Sequence, residues 1–510
     1  MVGQRIGRRT LLGGVSAAAA LGLLAGWPAR SGAAEGTGPF ARRTVIELAR
    51  ARAARAFEPP PPAPPRLAEL DYDRYRRIRF QKGHAIWGGA PTRFAVELFA
   101  PGFVYGYGVD VLVVENGEAR PVDLTTGAFE VPSAEIAAAL GAYGRLSGFR
   151  LHYPLNRDDY RDEFLVFQGA SYFRGVSRGQ NYGLSARGLA LDVAEPKGEE
   201  FPVFRRFWIE RPAASADAIV VHALLDSPGC TGAYRFGIYP GARTTLDVEA
   251  VLFARRPLRH VGLGPLTSMF LHGAADPAEV PDYRPAVHDS LGLAMHTGSG
   301  EWLWRPLQNP ARLQLSAFLD RSPKGFGLIQ RHRSFDAYQD LEARYERRPS
   351  AWVTPRGNWG EGQVQLVEIP SDAETNDNVV AYWRPRLPIE PGAPFSFSYR
   401  LTWPDRAPLP RGLAPVLRTA RGRSLTRGLP QLAVDLGPVP GVASDALEVR
   451  ATASAGELLE TLVVANPETG GTRVFLTLDP QGAAVVELRL ETRHRGEAVA
   501  ETWLHRWLPA

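Results

Sequence analysis

Residues 218–253 read AIVVHALLDSPGCTGAYRFGIYPGARTTLDVEAVLF. Three apolar runs, at 218–225, 234–239 and 244–253, are each of strand length and are separated by Gly-, Pro- and Asp-bearing segments. Short apolar or alternating runs bounded by turn residues point to strands rather than helices. The same texture continues outward at 93–99, 109–115, 149–152, 164–168, 189–193 and 204–210, and again at 325–332, 363–369 and 395–403. It predicts an all-β protein with a large N-terminal sandwich. Helical spacing occurs only at 44–57, 67–77 and 335–345, the last reading FDAYQDLEARY with apolar residues at 335, 338, 341 and 345. The proline run at 59–62 stops the first of these. A second boundary falls at 404–412, PDRAPLPRG. Beyond it, strand runs at 431–434, 446–452, 458–465, 472–478, 484–491 and 498–507 fit a small immunoglobulin-like sandwich without the cysteine pair of antibody domains. The expected layout is a signal at 1–34, an N-terminal sandwich at 35–404, a linker at 405–414 and the small sandwich at 415–510.

At 510 residues the chain can bury several cores, and its 45% apolar and 22% charged composition is that of a globular protein. The sequence pI of about 9.3 is largely set by the first 34 residues, which carry Arg5, Arg8, Arg9 and Arg30 and no acid. Without them 55 basic residues face 54 acidic ones, a net charge near +1. Such a chain has no global electrostatic reason to bind nucleic acid. The pair Arg8-Arg9 precedes a short apolar segment ending near Gly26, followed by small residues at 31–34. This is the pattern of an export signal, and the arginine pair suggests the twin-arginine route to the periplasm. Cys230, the single cysteine, excludes an internal disulfide and reads as a small packed residue.

Several chemistries are absent. There is no phosphate-binding loop and no His-Glu-x-x-His. His260 and His272 read as structural, so no metal or cofactor is expected. What remains is carboxylates, aromatics and arginines, concentrated at 344–384: RYERRPSAWVTPRGNWGEGQVQLVEIPSDAETNDNVVAYWR. Arg344, Arg347 and Arg348, the tryptophans 352, 359 and 383, a Gly-rich turn at 357–362 and the acids Asp372, Glu374 and Asp377 crowd before a strand candidate at 379–383. Glycosidic cleavage needs one carboxyl to protonate the leaving oxygen and another to accept a proton from water. Asp289, in the turn-rich loop 282–290, and the trio 372, 374 and 377 are the candidate acids. Mutual repulsion within the trio would help keep one of them protonated.

Several strings resemble the periplasmic glucan biosynthesis family, OpgG and OpgD (MdoG and MdoD). They are GQNYGLSARGL at 179–189, EFPVFR at 200–205, LTSMF at 266–270, RP at 284–285 with HDS at 288–290, GEWLWRPL at 300–307, GFGLIQ at 325–330, YQDL at 338–341 with RPS at 348–350, and ETNDN at 374–378. The resemblance spans essentially the whole mature chain, and the twin-arginine signal leans toward the OpgD branch. It implies a large sandwich with a cleft, a linker and an immunoglobulin-like domain, acting on β-1,2-linked periplasmic glucan. It further implies an anomer-inverting glucanase, with Asp377 matching the general acid and Asp289 the base, working through waters. Glu374 matches an acid of the same cleft. Arg348, Tyr345, Trp359 and Trp383 are sugar-contact candidates by type and neighbourhood. In OpgD-like proteins a loop just after residue 404 reaches a partner subunit's cleft, which implies a homodimer. Some relatives transfer the cleaved glucan instead of hydrolysing it. A non-catalytic partner of a membrane glucosyltransferase is the competing reading. A galactose-mutarotase-like sugar binder is a third, resting on the sandwich architecture alone.

Overall fold

The computed structural model describes residues 36–122, 127–278 and 281–509. The expected signal at 1–34 lies outside them. Contacts group the described residues into two compact units: 36–265 together with Tyr382–Trp403, and Leu266–Ala381 together with 404–509. The residues after 404 thus group with Leu266–Ala381 across the segment where the sequence suggested a linker. Among the described residues no helix is long and apolar enough to cross a membrane.

In the first unit the stretch 218–253 forms the expected strands, Ile219–Asp226, Cys230–Tyr239 and Thr245–Ala254, paired antiparallel in unbroken register. Val203–Glu210 extends the sheet on one side and Phe395–Thr402 on the other. A second sheet carries Ala95–Phe99, Gly148–Arg157, Tyr160–Gln168, Tyr172–Gly175 and Ser185–Arg187. The two sheets meet through aromatic rings. Phe167 of the second lies 5.5 Å from Phe207 and 5.1 Å from Phe236 of the first, and Phe149 lies 5.0 Å from Phe207. Each such pair adds about 0.5–1.5 kcal/mol beyond the area it buries. This is the all-β sandwich that the run lengths imply. Cys230 is fully buried, and burial pushes its thiol up to about 12, as befits a packed residue rather than a nucleophile.

In the second unit Ala351–Arg356, Gly325–Ile329, Gly292–His296 and Trp302–Pro306 form an antiparallel sheet. Thr502–Trp507 joins its edge in parallel, pairing Trp304 with Trp503. Val486–His494 and Glu448–Ala453 follow. A four-stranded sheet of Val416–Arg423, Pro430–Leu436, Gly471–Asp479 and Glu457–Asn466 covers one side. Val434, Leu476, Leu488 and Trp503 from the C-terminal strands share one buried cluster with Trp304, Ile329 and Trp352.

Two helical expectations need correction. At 67–77 two single turns form instead, Pro65–Ala68 and Tyr72–Tyr75, the latter capped by Asp71. Residues 335–345 are not an α-helix: only the 3₁₀ turns Phe335–Ala337 and Tyr345–Arg347 form. The Asp340 carboxylate accepts the main-chain N–H of Glu342 (2.9 Å) and Ala343 (2.7 Å), so it replaces helical partners. Gln339 and Arg344 are also left-handed (φ 54° and 47°), which an α-helix cannot contain. Conversely, Ala134–Tyr143 is a helix that the run pattern did not suggest. Ser133 caps it through the N–H of Ile136, and Gly144 ends it at φ 61°.

Arg305 and Glu368, each 1% exposed, hold the second unit together where Trp302–Pro306 meets Glu361–Glu368. Glu368 accepts the N–H of Gln308 at 2.7 Å and lies 3.4 Å from Arg305. Removing one partner of a buried pair strands the other charge, at a cost of about 3–5 kcal/mol. Glu368→Ala is therefore expected to lose stability of that order in denaturant unfolding. A loss below about 1 kcal/mol would contradict the assignment.

Candidate active site

A short antiparallel pair, Phe270–His272 with Val287–His288, stands at the centre of the candidate site. Beneath it Met269, Ala286, Val287, Tyr338 and Tyr345 form a buried cluster. Phe270 stacks on His288 (5.4 Å), His288 meets the edge of Tyr338 (5.2 Å), and Tyr338 stacks on Tyr345 (5.6 Å). This aromatic pad is the floor on which the polar loops rest.

Asp289 leaves the second strand directly after His288. Its N–H donates to the carbonyl of Met269 at 2.8 Å, and the residue is only 3% exposed. Asp377 lies 88 residues later in the sequence, half-buried, on the loop that the next residue ties down. The Asn378 carboxamide accepts the N–H of Phe270 (2.9 Å) and donates to the carbonyls of Phe270 (2.9 Å) and Ile369 (3.0 Å). Asn309 adds a second staple, donating to Leu271 and Ser371 carbonyls at 3.2 and 2.7 Å. The two acids thus follow and precede residues anchored to adjacent positions of one backbone segment, Met269 and Phe270.

A chain of polar and cation–ring contacts runs from Asp289 to Glu374 and on to Asp340. The Asp289 carboxylate lies 2.9 Å from Arg348, whose guanidinium also donates to the Ala343 carbonyl and lies 4.9 Å over the Tyr345 ring. The Tyr345 hydroxyl donates to Glu374 at 2.7 Å. Glu374 also accepts from Arg284 at 2.7 Å, and the same Arg284 nitrogen reaches Asp340 at 3.0 Å. The remaining nitrogens of Arg284 grip Asp282. A cavity of about 560 Å³ opens beside Arg284 and Asp282, with His272, His288 and Arg418 among its walls.

The structure brings together Asp289, Arg348, Tyr345 and Glu374, and anchors the Asp377 loop on the same strand. Tyr345 is fully buried, so its hydroxyl positions Glu374 while its ring packs. Trp359 is 9% exposed and lies past the end of Ala351–Arg356 that points away from Arg348, a strand of about 17 Å. Trp383 is fully buried and belongs to the other compact unit. The charge of Glu374 is met by Arg284, and Asp372 is exposed, so the acids of the trio have different surroundings. Sequence reasoning missed Arg284 and Asp340 as a unit. Their only signal was that both lie in strings shared with a known family. Among the described residues no group of His, Cys, Asp and Glu could hold a metal. His260 pairs with Glu195 and His272 with Asp282.

Arg284 also sets an acid limit. Its side chain holds Asp282 well below the usual carboxylate range. For Asp340 burial acts upward, but the Ala343 N–H, Arg284 and the Glu342 N–H outweigh it and the net direction is down. Carboxyls depressed in the folded chain stabilise it above their unfolded value of about 3.9. That contribution is lost as pH falls through their folded values. Wild-type stability should therefore drop as pH falls below about 4, and Arg284→Gln should flatten that drop in denaturant titrations. Equal pH slopes in the two proteins would contradict this.

A family model described as "Periplasmic glucan biosynthesis protein, MdoG" matches residues 40–507. The chain is 53% identical over 469 residues to glucans biosynthesis protein G 2 of Shewanella oneidensis, covering 92% of this chain and 89% of that protein. It is 48% identical over 478 residues to glucans biosynthesis protein G of Shewanella frigidimarina, covering 92% and 85%. Both relatives are named as G proteins, so the leaning toward the OpgD branch gains no support from them. The chain belongs to the MdoG family of periplasmic glucan biosynthesis proteins, and its place of work is the periplasm.

Proposed function

We propose that this protein is an endo-acting, anomer-inverting β-1,2-glucanase that trims periplasmic glucan, with Asp377 as general acid and Asp289 as general base. The observation that carries the reading is the common anchorage of the two acid loops on Met269 and Phe270. An inverting reaction needs two carboxyls fixed on either side of the scissile bond with room for water between them. Asp377 protonates the leaving glycosidic oxygen. Asp289 takes the proton of the attacking water through a relay, and its pairing with Arg348 suits a group that works as an anion. Glu374, held by Tyr345 and Arg284, offers its remaining lone pairs to sugar hydroxyls. Neither tryptophan is kept as a sugar contact: Trp359 is largely buried beyond the far end of Ala351–Arg356, and Trp383 is fully enclosed. If a sugar hydroxyl replaces water, the same acids perform glucan transfer, a variant favoured by the word biosynthesis in the relatives' names.

The test is incubation of purified protein with linear β-1,2-glucan, following chain length by mass spectrometry. Wild type should release shorter glucans, and Asp377→Asn and Asp289→Asn should each lower turnover at least about 100-fold. Tyr345→Phe, which removes only the hydroxyl on Glu374, should cost about tenfold in kcat with the fold intact. Unchanged glucan with measurable binding would favour instead a non-catalytic partner of a membrane glucosyltransferase. Full activity in Asp377→Asn would place the acid elsewhere.

A further inference from the structure

The second unit holds another cavity, of about 950 Å³, whose lining includes neither acid. One wall is a ladder of parallel rings. His296 and Trp302 are directly opposed across Gly292–His296 and Trp302–Pro306, with centroids 4.2 Å apart and planes 13° from parallel. Trp302 stacks in turn on Trp352 at 5.5 Å and 21°. Trp352 lies flat against the neighbouring strand because residue 325 is glycine: a Cβ there would stand 2.5 Å from the indole. The ladder therefore ends on a His296 face, and His296 is half-buried at the cavity. Burial, followed by the nearby Lys324, lowers the pKa of His296, so the ring that faces the cavity is neutral at neutral pH.

The polar walls are nearly charge-balanced. Glu301 is bound by Arg489 and accepts the Thr502 hydroxyl at 2.7 Å. Arg489 also donates to Glu491 at 2.8 Å, and Arg493 lies 3.5 Å from the same carboxylate. Lys324 adds one cation, 3.4 Å from where a Cβ on Gly300 would stand. A carboxylate offers about four lone-pair sites and a guanidinium five N–H groups, so each paired group keeps capacity for hydroxyls. An acyl chain would have to bury these charged groups, and a polyanion would find only one surplus cation. A neutral sugar matches both features, with a C–H face for the His296 ring that ends the ladder and hydroxyls for the ion pairs. The volume is within the range of about 300–1,000 Å³ typical of small-ligand sites. Asp289 lies seven residues before His296, on the order of 20 Å of extended chain.

We propose that this cavity is a second, non-catalytic oligosaccharide subsite that holds a neutral glucan segment apart from the acids. It rests on the glucan reading above and adds to it a place where a long chain is gripped without being cut. Long glucan then gains affinity from a second contact, whereas short oligomers do not.

The experiment uses the full chain carrying Asp377→Asn to stop cleavage, titrated with linear β-1,2-glucan polymer and with short oligomers. His296→Ala combined with Lys324→Ala should weaken polymer binding by about five- to tenfold and leave short-oligomer binding within about twofold. In the Asp377 parent, the same pair of changes should leave turnover of short oligomers unaltered. Thr354→Trp, which fills the cavity from a wall strand, should weaken polymer binding similarly and guards against misfolding of the first variant. Unchanged polymer affinity in either folded variant overturns the subsite alone. Absence of any β-1,2-glucan binding by the wild type overturns the glucan reading and the subsite with it.

Discussion

The site depends on two hydrogen bonds of 2.9 Å between the Asn378 carboxamide and the main chain of Phe270. Asn378 is almost fully buried, so these bonds have no competing water, and loss of the side chain would leave strand groups unsatisfied. An asparagine can donate and accept at once, so it mimics a neighbouring strand for a single residue. It thereby fixes the loop carrying Asp377 against a segment that also receives the N–H of Asp289. Two acids distant in sequence acquire a shared reference frame from one residue that does no chemistry.

Around this frame the charges are arranged in an alternating chain: Asp289, Arg348, then Tyr345, Glu374, Arg284 and Asp340. Each charged group has an oppositely charged or hydrogen-bonding neighbour, which is what makes a cluster of buried acids tolerable. The failed helix at 335–345 belongs to the same economy of structure. Asp340 turns the chain with its own carboxylate and presents its other oxygen to Arg284, whereas a helix would have sent Asp340 and Arg348 elsewhere.

The strands were legible because period and length survive burial: in 218–253 the first and third strands lie within one residue of their runs, and the second begins four residues early, at Cys230. The helix at 134–143 does not stand out as an apolar run, although Ser133 and Gly144 mark its two ends. For the candidate site, Asp289, Asp377 and Glu374 are nominated by the shared strings, and Tyr345 and Arg348 by residue type and neighbourhood. Arg284 could not be given its role, because its partners lie 56 and 90 residues away and no local spacing reports such pairs. Trp359 and Trp383 show the opposite limit, since residue type alone does not say whether an indole meets solvent.

The central claim is that two carboxyls framed on one strand act as acid and base on opposite sides of a glycosidic bond. The anomeric form of the newly released reducing end, read by proton NMR within the first turnovers, tests it most directly. Inversion releases the α-anomer first, equilibrating later to the mixture, from a β-linked substrate attacked by water on the far face. Release of the β-anomer would mean retention through a covalent intermediate and would contradict the acid–base assignment of Asp377 and Asp289.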